Sequence, residues 1–239
     1  MNVIELKNIR KVYEDGETET VALRDISFSV REGEFMAIMG PSGSGKSTLL
    51  HILGFLDKPS GGQYFFDGKE IQSYTENEMA KVRNLKMGFV FQAFNLLPRT
   101  SVLENVKLPL LYSDIPEIEW DERALKAIEA VGLSHRVNHK PSELSGGEKQ
   151  RAAIARALVI DPQVIFADEP TGNLDSKSGK NVMQIIQKLN EEQKRTIVLI
   201  THETSTAEHA ERIVRIMDGS VESDKKVMNR LKMDDEYVK

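Results

Sequence analysis

Cysteine is absent from the 239-residue chain, which excludes a disulfide framework, a thiol nucleophile and a thiolate metal site. An excess of positive charge is also absent: the formal net charge is −5, whereas a nucleic-acid-binding surface needs a basic stripe. No apolar run approaches the roughly 20 residues that cross a bilayer, and residues 1–16 lack the apolar stretch of a signal peptide. We therefore expect a soluble, cytoplasmic protein that binds no nucleic acid.

The rest of the composition is that of an ordinary globular protein. Hydrophobic residues make up 40% of the chain and charged residues 29%, which are typical proportions. A chain of this length suits one large domain or two closely packed lobes, and it buries a sizeable core without covalent cross-links.

The first third of the chain has the patterns of β-strands. In DISFSV, Ile26, Phe28 and Val30 alternate with polar residues, which places them on one face of a strand. EFMAIMG is a continuous apolar run that ends at a glycine. GGQYFFDGKEI has the pattern of a hairpin, with Asp67 and Gly68 as its two-residue turn. These patterns predict an antiparallel β subdomain.

Further along the chain, strand and helix patterns alternate. The short apolar runs in MGFVFQ, QVIFADEP and RTIVLITH each end in polar residues and are typical of buried parallel strands. DSKSGKNVMQIIQKLNEEQ carries Val182, Ile185, Ile186 and Leu189 at helical spacing. The patterns predict an α/β core, in which functional groups lie at the carboxyl ends of the parallel strands.

Two further helices are predicted between these strands. WDERALKAIEAVGL has the pattern of an amphipathic helix, with Leu125, Ile128 and Val131 on its apolar face. Gly132 is expected to lie near the C-terminus of that helix. SGGEKQRAAIARALVI predicts the second helix.

The change of pattern suggests how the chain is organised. We expect a single domain over residues 1–239, with a helical lobe at about 93–160 inserted into an α/β core. The core would be formed by residues of about 1–92 and 161–239. The charged residues after Gly219 are expected to form a solvated terminal segment.

The segment GPSGSGKST matches the phosphate-binding pattern G-x-x-x-x-G-K-[ST], and it lies between a strand and a helix, as the pattern requires. Successive backbone N–H groups and the N-terminus of the helix attract phosphate oxygens. Lys46 is expected to reach the β- and γ-phosphates, and the Ser47 hydroxyl is expected to bind Mg²⁺. A glycine-rich turn without a ligand is the alternative. The predicted nucleotide ligands are Gly40, Ser42, Gly43, Ser44, Gly45, Lys46, Ser47 and Thr48.

Polar residues follow three of the predicted parallel strands. Asp168 would hold Mg²⁺ through water, and Glu169 would act as a general base that orients the attacking water. His202 ends IVLITH and would reach the γ-phosphate, while Gln92 ends MGFVFQ and would contact the metal or the water. The alternative for the two acidic residues is that they only cap a strand. The predicted catalytic residues are Glu169, His202, Gln92 and Lys46, and the predicted metal ligands are Ser47, Gln92 and Asp168.

The segment LSGGEKQR has features of a second phosphate contact. Ser145 and Glu148 have the spacing of a capping box, which predicts a helix that begins here with exposed N–H groups. Gly146 and Gly147 would leave this helix N-terminus open to an anion. A well-capped helix without a ligand is the alternative. Tyr13 is a further candidate, for stacking on adenine, although its spacing alone favours a partly buried strand aromatic.

Taken together, these motifs resemble those of the ATP-binding subunits of ABC transporters. GPSGSGKST is similar to the Walker A motif, VIFADE to Walker B and LSGGE to the ABC signature. Gln92 corresponds to the Q-loop, GNLD (Gly172 to Asp175) to the D-loop, His202 to the switch histidine and Tyr13 to the adenine-stacking aromatic. The order is that of the family, and the resemblance covers nearly the whole chain. It implies a P-loop NTPase fold and hydrolysis of ATP with Mg²⁺.

The resemblance also implies a second copy of the chain. In the family, two ATPase chains pack head to tail with ATP between them. Ser145 and Gly147 of one chain would then bind the γ-phosphate held by Lys46 of the other, and Asp175 would communicate between the two sites. Each chain would carry one half of each site, which explains why one chain has two phosphate-binding segments.

The sequence departs from the family pattern at two positions. The fifth signature residue is Glu148, where glutamine is common, and Glu203 follows the switch histidine, where aspartate is usual. Glu148 is compatible with the capping box. We expect little effect from either departure.

A membrane permease formed by another chain is the second partner that the resemblance implies, and it would hold the protein at the cytoplasmic face of the membrane. Leu96, Leu97 and Pro98 would form its docking groove, or Leu96 and Leu97 would belong to the core of the helical lobe. Several segments resemble the lipoprotein-release and macrolide-export (LolD- and MacB-like) group. A division-associated, FtsE-like ATPase is the nearest alternative. A soluble ABC ATPase that acts on nucleic acid or ribosomes is disfavoured by the acidic balance.

Overall fold

Two β-sheets organise the computed structural model, which describes residues 1–16 and 18–231. The strands in this part of the chain are β1 (Asn2–Asp15), β2 (Thr18–Arg31), β3 (Phe35–Met39), β4 (Gly61–Phe66), β5 (Lys69–Glu70), β6 (Met87–Phe91), β7 (Val164–Asp168), β8 (Thr196–Thr201), β9 (Arg212–Met217) and β10 (Ser220–Lys226). One sheet has the order β2-β1-β4-β5 and the other the order β10-β9-β3-β8-β7-β6.

Helices connect the strands and cover the larger sheet. The α-helices in the described residues are α1 (Lys46–Leu53), α2 (Glu76–Lys86), α3 (Val102–Lys107), α4 (Trp120–Ala130), α5 (Gly146–Leu158), α6 (Ser176–Gln193) and α7 (Thr204–Ala207). Short 3-10 turns occupy Ile71–Ser73, Leu108–Tyr112, Glu117–Glu119, Ser134–Arg136 and Pro141–Glu143. None of the helices in these residues combines the length and the apolarity that crossing a membrane requires.

The smaller sheet is the predicted antiparallel β subdomain. β1 pairs antiparallel with β2 and with β4, and β4 pairs antiparallel with β5. Asp67 and Gly68, with φ of 51° and 76°, form the two-residue turn that the sequence indicates. The alternating residues of DISFSV are buried, as predicted.

The larger sheet brings together the strand ends that carry the predicted functional residues. β3 pairs parallel with β8 and β9, and β7 pairs parallel with β6 and β8. Phe91 is therefore level with Asp168, and Asp168 is level with Ile200. Gln92, Glu169 and His202, which follow these strands, consequently lie at one edge of the sheet.

The prediction of a solvated segment after Gly219 is wrong for residues 220–226. These residues form β10, which pairs antiparallel with β9. Asp218 and Gly219, with φ of 48° and 77°, make the tight turn between the two strands. Arg212 on β9 donates from Nε to Asp224 Oδ1 on β10 at 2.6 Å. This ion pair across the hairpin explains how a charged aspartate fits into β10. Residues 232–239 of the predicted segment lie outside the described residues.

Apolar clusters lie on both faces of the larger sheet. Alternate strand residues, such as Ala37 and Leu199, pack with α3, α4, α5 and α6. Their neighbours, such as Ile38 and Val198, pack with α1 and with the smaller sheet. The position of the sheet edge is thus fixed from both sides by packed side chains.

The helical segment differs from its prediction in two respects. Leu125 is 44% exposed, whereas Ala124, Ala127 and Ile128 form the buried face of α4. Small alanines let α4 approach α3 and α5 closely, which outweighs the larger apolar area of a leucine. α2 was not predicted, although its N-terminal Thr75 forms a capping box with Glu78. The division into a core and a helical lobe stays a prediction.

Candidate active site

The loop between β3 and α1 forms a cradle of backbone groups. Gly43 and Gly45 have φ of 79° and 101°, a region that favours glycine. A Cβ atom at Gly40 would lie 2.2 Å from the Ile216 carbonyl oxygen, and one at Gly45 would lie 2.6 Å from the Ala22 carbonyl oxygen. A side chain is therefore disfavoured by conformation at Gly43, by space at Gly40 and by both at Gly45.

A cavity of about 1230 Å³ opens at this loop. It is large enough for a nucleotide, since ligand pockets typically measure about 300–1,000 Å³. Gln92, Asp168, Glu169 and His202 line it, as the sequence predicts. The loop and α1 contribute Gly40, Ser42, Gly43, Gly45, Lys46, Ser47 and Thr48, and β2 contributes Thr20, Val21, Ala22 and Arg24.

Lys46 is the central cation of the cavity. Its side chain is largely enclosed, and Nζ donates to the Pro41 carbonyl oxygen at 2.7 Å. Burial lowers the pKa of Lys46, against the opposing effect of Glu169 and Asp168. The lysine therefore has one backbone partner, and because an ammonium group has three N–H donors, two of them remain for phosphate oxygens.

The two acidic residues have different surroundings. Burial raises the pKa of Asp168, and the negative charge of Glu169 raises it further. Glu169 has a φ of 44°, an uncommon conformation for a residue with a side chain. Its Oε1 atom lies 2.7 Å from His202 Nδ1. Glu169 and His202 therefore form a hydrogen-bonded pair at the cavity.

The ligands predicted for Mg²⁺ fit that ion. Ser47, Gln92 and Asp168 all line the cavity and offer hydroxyl, amide and carboxylate oxygens, which are the ligands that Mg²⁺ prefers. Among the described residues there is no group of three or more histidine, aspartate or glutamate side chains that could hold a metal ion.

Gln92 is held by a residue that the sequence analysis missed. Asn173 Nδ2 donates to the Gln92 carbonyl oxygen at 3.0 Å, and Gln92 Nε2 donates to Asn173 Oδ1 at 3.4 Å. A Cβ at Gly172 would lie 2.6 Å from Gln92 Nε2. The segment after Glu169 thus contacts Gln92 closely. No local pattern indicated this contact, because 81 residues separate its two partners.

The signature segment forms the predicted capping box at the start of α5. Ser145 Oγ accepts from the Glu148 backbone N–H at 3.3 Å, and Glu148 Oε2 accepts from the Ser145 N–H at 2.8 Å. Arg136 Nε also donates to Glu148 at 2.8 Å. These bonds, with the Ser145 N–H making the largest contribution, lower the pKa of Glu148 to about 2. Ser145 is exposed and does not line the cavity at Lys46.

The signature glycines have a structural reason besides access for a ligand. A Cβ at Gly147 would lie 2.9 Å from the Ser178 side chain, and one at Gly146 would lie 3.3 Å from Leu174. Asp175 caps α6 by accepting from the Ser178 N–H at 2.9 Å. The start of α5 and the start of α6 are therefore packed against each other, with Asp175 close to the signature segment.

Tyr13 and Ser44, which were predicted to bind the nucleotide of their own chain, do not line the cavity. Tyr13 is 42% exposed, and its hydroxyl donates to Asp57 Oδ2 at 3.1 Å. Lys11 Nζ lies 4.9 Å from the centre of the Tyr13 ring. Ser44 is buried in the loop, and its Oγ atom has no hydrogen-bond partner within residues 1–16 and 18–231. Adenine stacking by Tyr13 and phosphate binding by Ser44 stay predictions.

Comparison with known proteins identifies the family. The family model described as ABC transporter matches residues 23–172. An ABC transporter ATP-binding protein of Thermotoga maritima is 51% identical over 220 residues, which cover 92% of this chain and 94% of that protein. The macrolide export ATP-binding/permease protein MacB of Bdellovibrio bacteriovorus is 50% identical over 225 residues, which cover 94% of this chain. This chain spans only 34% of the length of that MacB protein.

Solved structures agree in fold. The dimeric structure of MJ0796, a bacterial ABC transporter cassette, has a TM-score of 0.86 and 47% identity over 94% of this chain and 98% of that one. A dimeric post-hydrolysis state of the MJ0796 ATP-binding cassette, bound to ADP and Pi, gives the same TM-score. The corresponding curated protein is from Methanocaldococcus jannaschii. The chain therefore belongs to the ABC transporter family: it has the predicted P-loop fold with an antiparallel β subdomain, and it is an ATP-binding, ATP-hydrolysing subunit.

Proposed function

We propose that two copies of this chain pack head to tail around ATP and drive a membrane permease of the lipoprotein-release or macrolide-export type. The proposal of a dimer rests on one observation: the two phosphate-binding segments, at Lys46 and at Ser145, are separated within one chain. The cavity at Lys46 is lined without Ser145, Gly146 or Gly147, although Ser145, the N-cap of α5, is exposed and the two glycines are half-buried. A second chain would bring its α5 to this cavity.

In each site, one chain would supply the groups that bind and activate. Lys46 and the loop N–H groups would hold the phosphates, and the hydroxyl of Ser47 with Gln92 and Asp168 would hold Mg²⁺. Bound Mg²⁺ would supply stabilisation of the negative charge on the phosphates. Glu169 would accept a proton from the attacking water, and His202, hydrogen-bonded to Glu169 at 2.7 Å, would orient that carboxylate.

The other chain would complete the site. Ser145 and Gly147 at the start of its α5 would bind the γ-phosphate, where the exposed N–H groups and the helix dipole favour an anion. Asp175, which caps α6 beside this segment, would lie at the interface and communicate between the sites. Because ATP would contact both chains, its binding would favour the closed dimer.

A groove of about 1040 Å³ is the surface that suits a permease. Its apolar lining includes Leu56, Phe89, Phe91, Leu108, Tyr112 and Ile160. The predicted dock at Leu96, Leu97 and Pro98 does not line this groove. Leu96 packs against the helical core instead, so we place the permease contact at the groove.

The groove is connected to the cavity by the segment after Gln92. Arg156, which lines the groove, donates to the carbonyl oxygens of Phe94 and Asn95. These two residues have φ of 61° and 51°, so the segment is held in an uncommon conformation by the guanidinium group. A permease helix in the groove would shift this segment and thereby Gln92. Through the permease, the chain would be held at the cytoplasmic face of the membrane.

The permease type rests on similarity to MacB proteins, which are named as combined ATP-binding and permease proteins. The FtsE-like alternative is distinguished by identifying the membrane protein that co-purifies with the Glu169→Gln chain in ATP. If that membrane protein acts in cell division, the proposed subgroup is wrong.

The shared site is tested by mixing two inactive variants. Lys46→Ala removes a phosphate contact, and Ser145→Arg places bulk and positive charge at the start of α5. Each homodimer would have two defective sites. In a mixed dimer, one site joins the intact cavity of the Ser145→Arg chain to the intact α5 of the Lys46→Ala chain. We expect the mixture to regain about half of the wild-type turnover if the sites act independently.

Two results would contradict this design. Normal ATPase activity of the Ser145→Arg homodimer would show that the start of α5 is only a helix cap. A mixture that stays inactive, when cross-linking demonstrates mixed dimers, would mean that the two sites are obligately coupled or that they are not shared. A matched control is Ser142→Arg on the same segment. Ser142 is exposed and precedes the capping box, so its homodimer should keep its activity.

A further inference from the structure

Gln150 connects α5 to the residue that follows Glu169. Its side chain is fully buried, and Nε2 donates to the Pro170 carbonyl oxygen at 2.8 Å. The other amide atom, Oε1, is buried and has no hydrogen-bond partner in the described part of the chain. One end of the amide is therefore used and the other is not.

The unpartnered oxygen argues that Gln150 does not serve stability. A buried polar atom without a partner is unfavourable, whereas an apolar side chain of similar shape would carry no such atom. Replacing the amide with an apolar group would leave the buried Pro170 carbonyl oxygen without its donor, but it would also remove one unpartnered oxygen, so the two effects on folding partly offset each other. The structural consequence that is specific to Gln150 is the position of the carbonyl that its single hydrogen bond holds.

That hydrogen bond holds the backbone next to Glu169. The left-handed conformation of Glu169 persists only where its surroundings impose it. Its N–H donates to the Ile200 carbonyl oxygen at 2.8 Å, and its carbonyl oxygen accepts from the Gly172 N–H at 3.0 Å. From α5, Gln150 holds the next residue by donating to the Pro170 carbonyl oxygen.

Glu203 holds the same segment from the opposite side. The Thr171 hydroxyl donates to Glu203 Oε2 at 3.2 Å, and the Thr206 hydroxyl donates to the same oxygen at 2.9 Å. Glu203 directly follows His202, the partner of Glu169. Residues 170 and 171 are thus held between α5 and the segment after β8.

We propose that Gln150 is a positioning residue for the catalytic carboxylate of Glu169 in its own chain, acting through the Pro170 carbonyl, with Glu203 as the matching contact. This inference rests on the proposed role of Glu169 as the base. Without the Gln150 bond, the peptide after Glu169 turns more freely and the carboxylate spends less time at the attacking water. Binding of ATP, which depends on the loop at Lys46, is not affected.

The first test separates kcat from KM in Gln150→Leu. We expect kcat to fall at least about tenfold, with KM within about twofold of wild type. The matched control is Gln187→Leu, because Gln187 is also a buried glutamine but lies on α6 away from the cavity. It should keep kcat within about twofold. Wild-type kcat in Gln150→Leu, or an equal loss in the control, would overturn the proposal.

A second test uses the mixed dimers, in which only one site works. Gln150→Leu is placed either on the Ser145→Arg chain, which supplies Glu169 to that site, or on the Lys46→Ala chain, which supplies only α5. We expect turnover to be at least about fivefold lower in the first arrangement than in the second. Equal turnover in both would overturn the proposal, because a general folding defect does not depend on the chain that carries it.

Gln150→Met covers the case in which Gln150→Leu does not fold, and the same kinetic result is expected. If both variants fail to fold, the amide is needed for stability and the proposal is wrong. Failure of the proposed function would look different: the wild-type chain itself would lack ATPase activity, or Glu169→Gln would keep wild-type turnover. Glu203 is tested in the same way. We expect Glu203→Ala to lower kcat and Glu203→Asp to keep it, because an aspartate still provides an acceptor for the Thr171 hydroxyl.

Discussion

Glu148→Gln is the substitution whose effect follows most directly from distances in the site. The carboxylate accepts from the Ser145 N–H at 2.8 Å and from Arg136 Nε at 2.8 Å, and only 13% of the side chain is exposed. A glutamine retains an oxygen for the Ser145 N–H, but it loses the negative charge. The substitution therefore separates the contribution of charge from that of the capping geometry.

The magnitude can be worked from the pKa. The fall in the pKa of Glu148 from 4.5 to about 2 corresponds to about 3 kcal/mol of preference for the ionised form, because each tenfold change is about 1.4 kcal/mol. Since glutamine keeps part of the hydrogen bonding, we expect a loss of about 1–2 kcal/mol in the free energy of unfolding at pH 7. For a chain of this size that is a fall of about 2–8 °C in Tm.

The pH dependence has a definite sign. A depressed pKa stabilises the folded state above the ordinary value of 4.5, and this contribution is lost as the pH falls towards about 2. The difference in unfolding free energy between wild type and Glu148→Gln should therefore shrink below pH 4.5. Urea unfolding followed by fluorescence at pH 7 and pH 3.5 measures it. ATPase activity at pH 7 should stay close to wild type, because the glutamine retains an oxygen for the Ser145 N–H and the cap of α5 is kept.

A matched control is Glu129→Gln, which changes an exposed carboxylate on α4. Its effect should stay within about 0.5 kcal/mol at either pH. A stability difference for Glu148→Gln that is the same at pH 7 and pH 3.5 would refute the reasoning, since the ionised form would then contribute nothing.

The remaining predictions concern the cavity. Glu169→Gln should bind ATP but hydrolyse it at least about 10²-fold more slowly, and size-exclusion chromatography should show an ATP-dependent dimer; near-wild-type turnover would remove Glu169 from the role of base. Lys46→Ala should reduce the rise in Tm that ATP causes, because ligand stabilisation follows binding, and an unchanged rise would count against the phosphate contact. Asp168→Asn should raise the Tm of the nucleotide-free chain at pH 7, because the raised pKa of Asp168 shows that its ionised form is unfavourable there. The same variant should lose the dependence of ATP binding on Mg²⁺; a lower Tm without nucleotide would refute this account.

Much of the cavity could be predicted because its residues follow regular patterns. The glycines before Lys46 and the polar residues that follow β6, β7 and β8 are all local signals, and parallel strands bring their carboxyl ends together. The two turns at Asp67 and Asp218 carry the same Asp-Gly signal. The second turn is followed by charged residues, which favour a solvated segment, but charge alone does not exclude a strand that has a partner.

Contacts between distant segments could not be predicted. Asn173 on Gln92 and Gln150 on Pro170 join residues that belong to different elements, so no single segment has a pattern that reveals them. The buried face of α4 differs from the prediction because Ala124 and Ala127 pack against neighbouring helices, where helical spacing alone favours Leu125. These features depend on the packed fold rather than on local propensity.

The contact between Gly147 and Ser178 affects how natural variation and mutational scans of this protein should be interpreted. Any residue larger than glycine at position 147 would press on Ser178, with a Cβ only 2.9 Å away, whether or not nucleotide is present. An inactive alanine variant at this position would consequently say nothing about recognition of phosphate. Pairing it with Ser178→Gly, which makes room for the added methyl group, would separate the two explanations. The same constraint predicts that relatives with a side chain at position 147 have a small residue at position 178.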